Sequence, residues 1–361
     1  MDPLANPLPC LVGLSSSEIA LFLGERSDAR WRGKQIATWI YGCAVSDLEK
    51  MTNLPQSLRE ELATRAVVSP LTVAQHQRST DDVDKLLVHD GDGEVYECVL
   101  LPYPDRVSCC ISSQVGCPMG CTFCATGLGG FDRNLTPAEI VGQYLLLQSL
   151  SPRRVSHAAF MGMGEPLLNL RNVVKALRLL HDEAGLSYRH LTVSTVGLVP
   201  QIYELAEENL PIHLALSLHS PDDEVRSRLM PVNNRWPVAE VLRAMREYQK
   251  RTGRKATIEY LLIDRVNDTP DQAERLAVLL KGLPCFVNLI PFNHVDTEQG
   301  FARPEKGRVR AFRSVLESRG ISVAERAERG HDIAAACGQL AGRHTGRFAR
   351  RERSFELPPR S

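Results

Sequence analysis

The sequence predicts an α/β protein, a partial and open β/α barrel preceded by a small helical accessory domain. Three observations predict it. From Val107 onward, short apolar segments alternate with longer stretches of helical spacing, as in a parallel sheet covered by helices. These β-α units recur about six times, short of the eight that close a barrel. Residues 1 to 90 carry helical apolar spacing of their own, which sets them apart as a unit.

Within that first unit, helices are expected from Ser15 to Leu23 and from Ala29 to Gly42, with a third carrying Leu54, Leu58 and Leu62 around a start at Pro55. The second mixes Arg30, Trp31, Arg32 and Lys34 with Trp39 and Tyr41, a combination suited to an RNA-contacting surface. The plainer reading puts the rings in the core and the charges in water. Asp90 to Gly93 then reads as a hairpin turn between LLVH and EVYECVLL.

The strand candidates that follow are 107–113, 155–162, 190–196, 212–218, 256–263, 286–290 and 321–324. Helical stretches between them include Pro137 to Ser149, Leu170 to Ala184, Pro237 to Thr252, Pro270 to Leu280 and Glu305 to Ser318. Thr136-Pro137-Ala138-Glu139 is a helix start, with Thr as cap, Pro first and Glu three residues after the cap. A parallel sheet of this kind places its active site at the carboxyl ends of its strands.

Composition narrows the class without deciding it. The 361 residues can bury a sizeable core, and 43 basic against 43 acidic residues leave no bulk charge to point at nucleic acid, so any such surface is local. The start, MDPLANPLPCLVGL, lacks the pattern of a secretory signal, and no apolar stretch approaches a membrane span. A cytoplasmic protein without membrane association is expected. Ten cysteines there suggest thiolate or redox chemistry instead of disulfides, and Cys10, Cys43, Cys98, Cys109 and Cys285 read as small buried hydrophobes.

The chemistry centres on Cys117, Cys121 and Cys124 in SSQVGCPMGCTFCATG. The pattern C-x3-C-x2-C offers three thiolates, one fewer than a closed zinc site or an all-cysteine iron–sulfur cluster requires. An iron left open on a 4Fe-4S cluster can bind and reduce S-adenosylmethionine. A zinc knuckle completed by a distant His or Cys is the competing reading. Gly162-Met163-Gly164-Glu165-Pro166 follows a strand, where glycines let the backbone approach a ligand and Glu165 can accept from an ammonium group. Ser194, Ser217-Leu218-His219 and Asn293 bring polar groups to the same end of the sheet. Each of these, taken singly, also fits a satisfied loop residue.

The cysteine motif resembles that of the radical S-adenosylmethionine superfamily. From about residue 12 to Gly342 the chain resembles the RlmN family of RNA methyltransferases, through SSQVGCPMGCTFCATG, NLTPAEIVGQ, FMGMGEPLLN, LTVSTVGLVP, LSLHSP, VNLIPFN and DIAAACGQLAG. The chain is expected to divide into a helical RNA-contacting domain over 1–90, a radical barrel over 91–342 and a basic tail over 343–361, whose Arg343, Arg347, Arg350, Arg351 and Arg353 suit phosphate contacts or, more plainly, a solvated segment without fixed structure. The resemblance implies one 4Fe-4S cluster on Cys117, Cys121 and Cys124, and S-adenosylmethionine held by Gly164, Glu165, Ser194, Ser217, Leu218, His219 and Asn293.

Three more roles come from the same resemblance. Cys337 matches the cysteine that becomes methylated, Cys110 its partner, and Glu97 the proton acceptor. The implied reaction methylates the C2 carbon of an adenosine in 23S rRNA and in the anticodon loop of certain tRNAs. Two S-adenosylmethionine molecules are used per turnover and a Cys110–Cys337 disulfide remains, so an electron donor such as flavodoxin or ferredoxin is expected, and a monomer. The related Cfr family, which methylates C8 of an adenosine, is the nearest alternative; a non-catalytic zinc RNA-binding protein and a radical enzyme acting on protein or a metabolite are more distant ones. Two departures stand out. His331 occupies a position often acidic in the family, and Cys109 places a second thiol beside Cys110, where poor substitution for it could confuse the effect of replacing Cys110.

Overall fold

The computed structural model describes residues 8–91, 93–295 and 299–341; the tail expected over 343–361 lies outside the described residues. Ser15 caps the first helix, Ser16–Phe22, by accepting from the Glu18 N–H, and the Glu18 carboxylate returns the bond to the Ser15 N–H. The second, Ala29–Ala37, lies against it so closely that a Cβ on Gly33 would stand 2.5 Å from the Ser16 carbonyl oxygen. It continues into a π turn, Thr38–Gly42, and a third helix, Gln56–Arg65, follows Pro55 and buries Leu58 and Leu62. The aromatic–basic face divides. Tyr41 is buried and donates to the Leu14 carbonyl, while Trp31 is 55% exposed with the Arg32 guanidinium over its ring, and Arg30 and Lys34 face solvent.

Ten strands form the main sheet, in the order β1-β2-β3-β4-β7-β8-β9-β10-β11-β12. These are β1 (Thr72–Arg78), β2 (Asp84–His89), β3 (Tyr96–Pro102), β4 (Val107–Cys110), β7 (Val155–Phe160), β8 (Leu191–Thr195), β9 (His213–Ser217), β10 (Ala256–Leu262), β11 (Cys285–Pro291) and β12 (Ser322–Glu325). From β4 onward every neighbouring pair is parallel, and β1 to β4 pair antiparallel. β1 and β12 are the two edges, so the sheet curves without closing, the open barrel that the repeat number predicts. A separate pair, β5 (Gln114–Gly116) and β6 (Phe131–Asn134), brackets the cysteine loop.

The sheet begins at Thr72, before the boundary set at residue 90. β1 reads TVAQHQR and faces solvent along almost its whole length, so it lacks the apolar alternation that would mark it as a strand. Helices cover the outer face. Thr136 and Glu139 form the predicted capping box on Pro137–Leu150, and Thr269 with Gln272 builds a second on Pro270–Leu280. Val238–Thr252 shows how such a helix is held. Val238, Val241, Leu242, Met245 and Tyr248 recur at helical spacing and are buried, each stabilising the fold by about 1.5–3 kcal/mol, and Gly253 at φ 67° ends the helix.

Candidate active site

The three motif cysteines lie between β5 and β6, where the Cys117 N–H donates to the Gly130 carbonyl at 2.7 Å and Cys124 precedes the short helix Ala125–Leu128. Their thiols interact with one another electrostatically, and burial pushes the pKa of each upward. Backbone N–H groups of Met119, Thr126 and Gly127 oppose that rise by bonding the sulfurs of Cys117 and Cys124. Such thiols ionise against a bound cation. Among the described residues, no group of three or more His, Cys, Asp or Glu side chains forms a cage for a single ion. In number and kind, three thiols match the ligands of an iron–sulfur cluster that keeps one position open.

The segment entering this loop is stitched to the glycine loop after β7. The Ser112 hydroxyl accepts from the Met163 N–H, the Met163 carbonyl accepts from the Ser113 N–H, and Gln114 accepts from the Glu165 N–H, so the buried polar run SSQ is satisfied by GMGE. A Cβ on Gly162 would lie 2.8 Å from the Ile111 carbonyl oxygen, and Gly164 sits at φ 102° against Gln114, so both positions require glycine.

A cavity opens at the carboxyl ends of the parallel strands, where Gly164, Glu165, Ser194, Ser217, His219 and Asn293 contribute to its wall beside Cys124. Glu165 is buried and accepts from the Leu167 and Val196 N–H groups, one on each oxygen, and burial still pushes its pKa up to about 7. The Ser194 and Ser217 hydroxyls stand 3.4 Å apart. His219, at φ 60°, accepts at Nδ1 from the Leu261 N–H, and burial holds its pKa down to about 3, so its ring is neutral. Phe123 of the cysteine loop meets that ring edge-on at 5.0 Å. The Leu218 side chain is buried away from the cavity, and it is its backbone that belongs to the turn.

Arg226, which carried no signal in the sequence, is the largest fully buried side chain among the described residues. Its guanidinium donates to the carbonyls of Val196, Ser217 and Leu218 and to Asn233. Those carbonyls end β8 and β9. The helix that carries Arg226, Asp223–Leu229, also accepts from the cysteine loop, through the Thr122 N–H and the Leu229 carbonyl. Burial lowers its pKa to about 10, which leaves it cationic at neutral pH. A cation inside the motif DEVRSRL reads as an exposed helix face until the fold is known.

A second chamber adjoins the first, and Cys110, Cys124, Cys337, Asn293 and Arg326 line it. Cys110 ends β4 with its thiol pushed up to about 12, by burial first and by Cys337 second, while Arg326 acts in the opposite direction. Arg326 follows β12 and reaches the sulfur of Met161, and Glu259 of β10 lies 4.0 Å away. Cys337 sits in a loop whose carbonyls accept from Asn293 at residue 337, from the Ala125 N–H at residue 338 and from the Thr126 hydroxyl at residue 340. The two cysteines thus share one chamber, a meeting that spacing alone did not imply. Asn293 binds the Cys337 loop in addition to facing the first cavity. Glu97 pairs with Lys85 at 3.0 Å and accepts from the Ala341 N–H, outside the lining of either chamber.

Cys98 and Cys109 are buried, as expected for small hydrophobes, whereas Cys43 is exposed. His331 is exposed and lies 3.5 Å from Glu328.

Fold and site together define a radical S-adenosylmethionine enzyme, and the model of the radical SAM superfamily matches residues 111–277. The model of the ribosomal RNA large subunit methyltransferase N-terminal domain matches residues 10–68. A probable dual-specificity RNA methyltransferase RlmN from Symbiobacterium thermophilum is 48% identical over 95% of this chain and 94% of its own length. The corresponding Thermus thermophilus protein is 49% identical over 86% of this chain and 89% of its own. A radical SAM methyltransferase from Sphaerobacter thermophilus has the same fold, with a TM-score of 0.89 and 43% identity over 93% of this chain and all of that one. The chain belongs to the RlmN family.

Proposed function

We propose that this radical SAM RNA methyltransferase transfers a methyl group to the C2 carbon of an adenosine, in 23S rRNA and in the anticodon loop of certain tRNAs. The observation that carries this reading is the shared chamber of Cys110 and Cys337 beside the cysteine loop. An sp2 carbon of adenine is a poor nucleophile, so direct displacement from a sulfonium fails there. One cluster and two S-adenosylmethionine molecules per turnover supply the methyl group, the electron and the radical chemistry that such a carbon needs.

The protein's own residues supply the rest. Cys337, as thiolate, accepts the methyl group and carries it to the adenine. Once the base is attached through that carbon, Cys110 removes the C2 proton, with Glu97 as the proton acceptor. Attack of the Cys110 thiolate on the Cys337 sulfur then forms the disulfide and breaks the bond to the transferred carbon. That carbon leaves with the bonding pair and takes up a proton to become the product methyl, while the odd electron of the adduct returns to the iron–sulfur group that supplied it. The pair leaves each cycle oxidised, and a flavodoxin- or ferredoxin-type donor restores it. The base must leave its stack to reach so deep a chamber, which favours loop adenosines.

No helix among the described residues is long and apolar enough to cross a membrane. We place the enzyme in the cytoplasm, as a monomer. Transfer to C8 in the manner of Cfr is the second reading, since the two cysteines and the cluster motif serve both. Substitution of each cysteine tests the scheme. C337A should give no methylated RNA, and C110A should accumulate RNA covalently attached through Cys337, seen as a shifted band that ribonuclease removes. Turnover by C337A would overturn the reading.

A further inference from the structure

A buried ion pair stands next to the reactive chamber without entering it. Lys85 Nζ lies 3.0 Å from a Glu97 carboxylate oxygen, and each side chain is less than a tenth exposed. The same pair holds the loop of Cys337 at two places. Lys85 donates to the Ala334 carbonyl at 3.3 Å, and the other Glu97 oxygen accepts from the Ala341 N–H at 2.7 Å. Ala334 precedes Cys337 by three residues and Ala341 follows it by four.

The sheet determines where this clamp stands relative to Cys110. Lys85 on β2 is paired with Val99 on β3, and Val99 is paired in turn with Cys110 on β4. Directly opposed residues share a face, and Glu97, two residues from Val99, shares it too. Lys85, Glu97 and Cys110 therefore lie on one face in a register set by backbone hydrogen bonds. Ala334, whose carbonyl Lys85 binds, has φ 50°, a left-handed conformation that a non-glycine residue holds only where its surroundings impose it.

We propose that Lys85 is a positioning residue. With Glu97 it clamps both sides of the Cys337 loop and so sets the methyl-carrying thiol against Cys110 and the cofactor cavity. This rests on the reading of Cys337 as the methyl carrier. It also gives Glu97 a part that precedes any proton transfer, because both of its oxygens already hold the clamp.

The test uses the purified holoenzyme and follows the first half-reaction without RNA. Methylation of Cys337 is timed by mass spectrometry of its peptide after addition of S-adenosylmethionine. K85M should slow it by about 100-fold, the scale set by an ångström of misplacement, with iron content and S-adenosylmethionine affinity unchanged. K85R, which retains a donor and a charge, should recover most of the rate. E97Q provides a second route if K85M fails to fold. A clamp predicts slow Cys337 methylation in E97Q, whereas a proton acceptor alone predicts normal Cys337 methylation with accumulation of the RNA adduct. Wild-type rates of Cys337 methylation in both K85M and E97Q would overturn the proposal. Failure of the carrier reading shows separately, as RNA methylation by C337A.

Discussion

Cys109 and Cys110 are consecutive on β4 and face opposite sides of the sheet. Cys110 is paired with Val99 and lines the chamber that holds Cys337, while Cys109 is paired with Leu100 and its thiol acts on Tyr144 of the outer helix Pro137–Leu150. The pleat separates two thiols that the sequence places side by side. Cys109 therefore has no path to Cys337.

The first prediction follows directly. C109A should retain RNA methylation within about threefold, because it removes one buried sulfur from the helix side of the sheet and its cost is that of a small packing defect. C110A should lose turnover whether or not Cys109 is present. Turnover rates of C109A, C110A and the double variant, measured side by side, decide it. Rescue of C110A by Cys109 would contradict the geometry.

Arg226 sets the second. Replacing it by Met leaves three strand-end carbonyls without their donor, and Lys provides a charge without the planar fork. S-adenosylmethionine should bind about 10–100-fold more weakly to R226M, the range seen when a residue that orients ligands is lost. Equilibrium dialysis measures this, with the iron content of the same sample reporting whether the cysteine loop is intact.

The third concerns pH. Burial raises the Glu165 pKa from 4.5 to about 7, so near pH 6 its carboxyl is mostly neutral; in the proposed role of Glu165 as acceptor for the ammonium group of S-adenosylmethionine, that partner is then missing. S-adenosylmethionine affinity should rise about tenfold between pH 6 and pH 8, and E165Q should flatten that profile. The effect on stability has the opposite sense. A raised folded-state value contributes stability that is complete below 4.5 and is lost as pH climbs through about 7, so the ligand-free protein should weaken across that interval.

Trp31 gives a fourth. With 55% of its surface exposed and Arg32 above its ring, it can stack on an unpaired base without contributing to the core. W31A should cost about 1–3 kcal/mol in RNA binding and about 0.5 kcal/mol or less in stability. Filter binding and thermal melts on one preparation separate the two.

Much of this was readable in the sequence because certain residues have few alternatives. The capping box at Thr136, the glycines at 162 and 164 and the three spaced cysteines each meet a local requirement that another residue would break. β1 was hidden because its exposed polar side chains carry no alternation. Arg226 and Lys85 were hidden for another reason. A lone cation in a polar segment looks solvated, and only the tertiary fold reveals that carbonyls from distant strands, or a buried carboxylate, enclose it. The meeting of Cys110 with Cys337 came from family resemblance, because contact between residues so far apart in the chain leaves no trace in spacing or periodicity.

The proposed chemistry turns on the identity of the modified carbon. Nucleosides from 23S rRNA and tRNA, compared by mass spectrometry between cells with and without this protein, test it most directly. Loss of 2-methyladenosine from both pools on deletion is the predicted result. Loss of 8-methyladenosine, or no change in either nucleoside, would contradict it.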